Sequence, residues 1–293
     1  MFLERLARHG SARLATRNFP KSRITVTYSN ARWQSTTSKP NDAAHDGPPV
    51  TDTNRAETTQ KRFWKDVDVE QRDNSWVVTL DRRALKTPSG NALKLPLSKS
   101  LPATLIAAEW DHQETLLKPH ALPMTSITAR AVDAMTDEKT RADVIEAIVK
   151  YIHTDTICFF HDNPEPLERL QAQRWTPLLD WARKAFDITL NVSNSVLSVR
   201  QPAETEEKLR KVLQSFDNWE LAAVERATYS SKSLVIALAL VKKHLSVEDA
   251  SLASTVEVDS QIERWGEVED THDVDYQDIR RQLGSAACLL SNV

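Results

Sequence analysis

Glycine is scarce in this chain: five residues among 293, at Gly10, Gly47, Gly90, Gly266 and Gly284. Neither GxGxxG nor GxxxxGK followed by Ser or Thr occurs, so nucleotide binding by a known glycine-rich loop is excluded. Cysteine is scarcer still. Cys158 and Cys288 share no CxxC spacing, which removes a disulfide framework and a zinc knuckle from consideration. Both are expected as small buried apolar residues. The longest uninterrupted apolar run, Leu234–Val241, has eight residues, far below the ~20 a bilayer-crossing helix requires. No stable membrane insertion is expected. A GxSxG nucleophile elbow is missing, and Ser230-Ser231-Lys232-Ser233 has none of the companions of an SxxK enzyme. It reads instead as the start or the interruption of the apolar helix that follows.

Charge is unevenly spread. Residues 1–40 hold eight bases (Arg5, Arg8, Arg13, Arg17, Lys21, Arg23, Arg32, Lys39) and one acid, Glu4. With 38 bases and 41 acids in all, residues 41–293 keep 30 bases and 40 acids, a net of −10. An Arg-rich, Ser/Thr-rich, acid-poor leader is the composition of a mitochondrial transit peptide, expected over 1–34. The acidic remainder argues against binding a phosphate backbone, so no nucleic-acid partner is expected. Residues 35–60, rich in Thr, Ser, Pro and Asp, cannot bury enough surface to order themselves and read as a linker.

Periodicity gives an α+β chain: a small antiparallel β-rich domain with a helix over 61–125, then a larger α-helical domain over 126–293. Trp76–Leu80, a turn at Asp81-Arg82-Arg83, Ala84–Thr87, the turn Pro88-Ser89-Gly90-Asn91 and Ala92–Leu95 form the strand pattern. Beyond Pro96 the apolar spacing becomes helical. Helices are expected from a Ser98 cap to His112, over Ser126–Met135 and Asp137–His153, and from Pro164 through Trp175 with a restart at Pro177. Three more should span Glu204–Phe216, Asn218–His244 and Val247–Leu290, the last broken near Gly266.

The most informative stretch is Glu248 to Asp275, with ten carboxylates against one base, Arg264. Like charges at this density repel unless water, a metal or a basic partner compensates them. Val258, Ile262 and Trp265 recur at helical spacing inside it, which makes it a folded helix that displays negative charge. Trp265, beside Gly266, is expected to pack on the preceding helix while the glycine backbone approaches a neighbour closely. Two chemistries fit. Glu269, His272 and Asp273, at i, i+3 and i+4, would project from one helix face toward a metal, as in a metal-dependent hydrolase. Alternatively the carboxylates form a contact surface for a basic partner. The remaining histidines, His112, His120, His153, His161 and His244, are scattered and offer no matching ligand, which favours the contact surface.

Phe63–Val67, Leu80–Pro88, Ala107-Ala108-Glu109-Trp110, Pro123-Met124-Thr125, Tyr151–Cys158, Gln173–Trp181, Ser233–Leu240 and Gln261–Gly266 follow one another in an order that resembles the mitochondrial ATP synthase assembly factors that chaperone the alpha subunit. The resemblance runs from about residue 62 onward. It implies a matrix location and no enzymatic activity, and nothing in it calls for a cofactor or metal. Its implied partner is the unassembled alpha subunit, held until the beta subunit replaces the chaperone; a monomer suffices. The family's acidic position after the Trp-Gly pair falls on Glu269, with Glu267 as the less favoured carrier. Glu267, Glu269, Asp270 and Trp265 are therefore the client-binding candidates. This sequence departs from the family at two turns: Arg82 stands where Asp-Gly-Arg is usual, and Lys232 where a glycine precedes Ser-Leu-Val.

Overall fold

The computed structural model describes residues 61–195 and 199–292. The expected transit peptide (1–34) and linker (35–60) lie outside them. Four strands come first: β1 (Val67–Arg72), β2 (Ser75–Leu80), β3 (Arg83–Ala84) and β4 (Lys94–Pro96). β2 is the centre of the sheet, antiparallel to β1 on one side and to β3 and β4 on the other. Its last four residues are fully buried, as a central strand requires. Two-residue turns set the registers. Asp73-Asn74 joins the Arg72↔Ser75 pair and Asp81-Arg82 the Leu80↔Arg83 pair, all four with positive φ. Such turns twist in the same sense as the strands they join. The Asp81 carboxylate accepts the backbone N–H groups of Lys65 and Asp66 at 2.9 and 3.0 Å, which holds its pKa below the usual carboxylate range.

Helix α1 (Ser100–Asp111) lies across β1 and β2. It starts after a 3-10 turn, Leu97–Lys99, rather than from a Ser98 cap. Helix α2 (Pro123–Asp133) begins three residues before the expected Ser126. The reason is a partner the local sequence cannot show. Glu109 of α1 accepts the N–H groups of Met124 and Thr125 at 2.6 and 2.9 Å and the Thr125 hydroxyl at 2.8 Å. The orphan donors at the start of α2 are thus capped from another helix. Burial raises the Glu109 pKa against the pull of these donors. Trp110 donates its indole N–H to the same hydroxyl, so two of the quoted motifs meet in one network.

Helices α3 (Glu138–Tyr151), α4 (Glu165–Arg174), α5 (Thr176–Phe186) and α6 (Ala203–Gln214) follow close to expectation. The expected single helix Asn218–His244 is two. Lys232 adopts φ +55° and Ser233 extended geometry, ending α7 (Asn218–Ser231) and capping α8 (Leu234–Val241) through Ser233 Oγ and the Ile236 N–H. All eight residues of α8 are buried, the centre of the helical core. At about 1.5–3 kcal/mol for each large side chain, this helix is a main source of stability. Buried Asp155 adds a second cap, accepting the N–H groups of Ile157 and Val235. The expected Val247–Leu290 helix is three: α9 (Val247–Ser254), α10 (Val256–Trp265) and α11 (His272–Leu289). It breaks at Thr255 as well as at Gly266. Among the described residues, no helix is long and apolar enough to cross a membrane.

Candidate functional site

The acidic stretch is not one helix but all of α9 after its first residue, all of α10, a six-residue connector and the start of α11. Gly266 ends α10 with φ +88°, its N–H returning to the Ile262 carbonyl. A Cβ at this position would meet nothing within 4 Å. The glycine therefore serves a backbone conformation and not the close approach expected of it. Asp270 also turns left-handed, at φ +66°. The Val268 N–H donates to His272 Nδ1 at 3.0 Å and the His272 N–H returns to the Val268 carbonyl at 3.2 Å, which folds the connector onto α11.

Four of the ten carboxylates find partners within the chain, three of them arginines. Glu248 pairs with Arg280 and Asp259 with Arg174, both at short range, and Glu263 pairs with Arg169 at 2.6 Å. Asp249 receives the Ser246 hydroxyl at 2.6 Å. The motif around Arg174-Trp175 is thereby explained. Arg174 also donates to the Leu252 carbonyl and Trp175 to the Ala253 carbonyl, so α4 clamps the α9–α10 corner. Glu257, Glu267, Glu269, Asp270, Asp273 and Asp275 make no side-chain hydrogen bond or ion pair with the described residues, and all are exposed. The uncompensated charge is concentrated on the connector and the first turn of α11.

The apolar residues of the stretch correct a second expectation. Val256 and Ser260 form the buried side of α10. At about 100° per residue, Val258, Ile262 and Trp265 lie opposite them. Val258 is exposed, and Trp265 is 69% exposed with the Arg264 guanidinium over its ring at 4.9 Å. Trp265 neither packs on the preceding helix nor anchors the segment. Val268 and Val274, 57% and 63% exposed, were not singled out from the sequence. Their only signal is a valine among carboxylates with no helical companion. Together these residues make a tip where apolar side chains stand among five free carboxylates, Glu267, Glu269, Asp270, Asp273 and Asp275. That is the composition of a binding surface: apolar area for adhesion, charge of one sign for steering and orientation.

The metal arrangement is not formed. Glu269 lies on the connector and His272 and Asp273 on α11, so the three do not share a helix face; His272 Nδ1 is engaged by Val268. Among the described residues, no group of three or more His, Cys, Asp or Glu side chains is placed to hold a metal ion.

The chain is similar to proteins of one known family. Residues 61–183 match the family model described as ATP12 chaperone protein. The chain is 32% identical over 237 residues to the protein named atp12, mitochondrial, of Schizosaccharomyces pombe, covering 78% of this chain and 81% of that protein. It is 31% identical over 280 residues to the protein named ATP12, mitochondrial, of Saccharomyces cerevisiae, covering 81% and 86%. Among solved structures, Atp12 from Paracoccus denitrificans superposes with a TM-score of 0.67 at 28% identity, covering 80% of this chain and 98% of that one. An aspartate-to-lysine variant of that protein superposes equally well.

Proposed function

Since the chain belongs to the ATP12 chaperone family, we propose that it is a mitochondrial-matrix assembly chaperone. It binds the unassembled alpha subunit of the ATP synthase catalytic head and keeps it from aggregating until the beta subunit takes its place. The observation that carries this reading is the α10–α11 tip: five free carboxylates around exposed Trp265, Val268 and Val274. An unassembled subunit exposes surface that is later buried, including apolar side chains and bases destined to meet a partner carboxylate or a nucleotide phosphate. A chaperone has to cover such surface specifically and then release it. Fixed negative charge selects and orients a basic client, while a few apolar groups supply adhesion. Glu269, Glu267 and Asp270 face the client's bases in this reading, and Trp265 is its apolar anchor. The protein acts as a monomer and without catalysis.

The test is charge reversal at the tip. Glu269→Lys places a cation against a basic client, and such a juxtaposition costs several kcal/mol, about 100-fold in affinity. Co-elution of purified alpha subunit with the full chain is the readout. The melting temperature should stay within about two degrees of wild type, since the side chain is exposed and makes no hydrogen bond or ion pair among the described residues. Unchanged binding by Glu269→Lys, Glu267→Lys and Asp270→Lys would remove the tip from the function. Collapse of the fold would assign Glu269 a structural role instead.

A further inference from the structure

The face of α11 that leaves the acidic tip also walls an apolar groove of about 610 Å³ between α1 and α11. Leu105 and Ala108 of α1, Met124 of α2, and Gly284 and Cys288 of α11 line it. The volume lies within the ~300–1,000 Å³ of sites that hold ligands. Lys118 and Glu114 stand at its mouth with Arg281, whose guanidinium pairs with Asp278. Glu109 also borders the groove, but its carboxylate is engaged by Met124 and Thr125. What the groove offers an occupant is thus mainly apolar surface.

Helix geometry ties the groove to the tip. At about 100° per residue, Val274, Gln277, Arg281 and Cys288 fall within an arc of about 60° on α11. The exposed valine at the tip and the cysteine in the groove lie on one continuous side, about 21 Å apart at ~1.5 Å per residue. That span equals about 14 residues of helix or six to seven of extended chain. One end of this track is negative with exposed apolar groups, the other apolar and concave.

We propose that the groove is a second docking subsite for the client, occupied by an amphipathic segment that lies along α11. Its basic end meets the tip and its apolar end enters between α1 and α11. The two unlike ends fix the direction in which the segment binds, which a single charged patch cannot do. This subsite rests on the chaperone reading above, with the client as its occupant.

Cys288 is a built-in reporter, half-buried in the groove, while Cys158 is fully buried and serves as the internal control. Purified alpha subunit should slow maleimide modification of Cys288 in the full chain by about tenfold or more, with Cys158 unreactive throughout. Ala108→Leu fills part of the groove and should weaken co-elution of the alpha subunit about tenfold. Cys158 staying unreactive in that variant shows that the fold is kept. Co-elution of the alpha subunit while Cys288 reacts at its free rate overturns the groove and leaves the tip standing. A groove whose Cys288 is shielded without client, and freed by deleting residues 1–60, belongs to the chain's own N-terminal segment and overturns the proposal. No association at all overturns the chaperone reading and the groove together.

Discussion

Arg82 and Lys232 occupy positions where related chains are expected to carry glycine, and both adopt the left-handed backbone region, φ +65° and +55°. A side chain there costs about 1–2 kcal/mol relative to glycine, offset in part by the greater freedom of an unfolded glycine. Arg82→Gly and Lys232→Gly should therefore each stabilise the fold by about 0.5–1 kcal/mol in urea unfolding. Neither contact that defines the turns is lost: the Lys232 carbonyl still accepts the Thr156 N–H and hydroxyl, and Asp81 still accepts Lys65 and Asp66. Destabilisation by either change would mean that the side chain itself contributes more than the backbone strain removes. The sequence shows the missing glycines but not which way the substitution was accommodated. The turns keep their geometry and bear the strain, because the hairpin register and the α7–α8 corner are fixed by their surroundings.

At the scale of elements, α8 shows how a short helix depends on caps from elsewhere. Eight residues are too few to be helical alone in water. Ser233 supplies one cap and Asp155, 80 residues before Val235 in the chain, supplies the other. Asp155 is fully buried, and burial pushes its pKa from 3.8 up to about 6 in spite of the donors around it. The folded state holds this proton more tightly than the unfolded chain, so the group's contribution to stability is complete below pH ~3.8 and is lost as pH rises through about 6. Asp155→Asn removes the titration. Its stability relative to wild type should rise as pH increases from about 4 to about 6 and level off above, read from urea midpoints across that range. A wild type and variant that run parallel over the range would show that the carboxyl is ionised in both states. Element types were legible because 3.6-residue spacing and turn residues are local signals. The interruption at Ser230–Ser233 is legible from the polar residues ahead of the apolar run; the break at Thr255 is not, since no glycine or proline marks it, and the start of α2 is set by a cap on another helix, Glu109 of α1.

For the whole molecule, the proposed function rests on the distribution of charge. In the proposed function the five free carboxylates of the tip act at a distance on a basic client, an attraction that salt screens with a Debye length of ~10 Å at 0.1 M. Association of the alpha subunit should slow by about tenfold or more between ~50 mM and ~500 mM salt, with a much smaller change in dissociation, measured by surface binding kinetics. An association rate indifferent to salt would mean that the tip does not steer the client. The amino-acid sequence alone determines the α+β architecture, the family and the density of acids from Glu248 to Asp275, because composition, period and motif order are properties of the chain read in line. Only the tertiary structure decides which of those acids are free. Arg169 and Arg174 reach Glu263 and Asp259 across 94 and 85 residues of chain and neutralise them, leaving the connector and the start of α11 bare. It likewise turns the Val258–Trp265 side of α10 outward. A helical period says which side chains share a face, whereas the neighbours packed against the opposite face decide whether it meets the core or a partner.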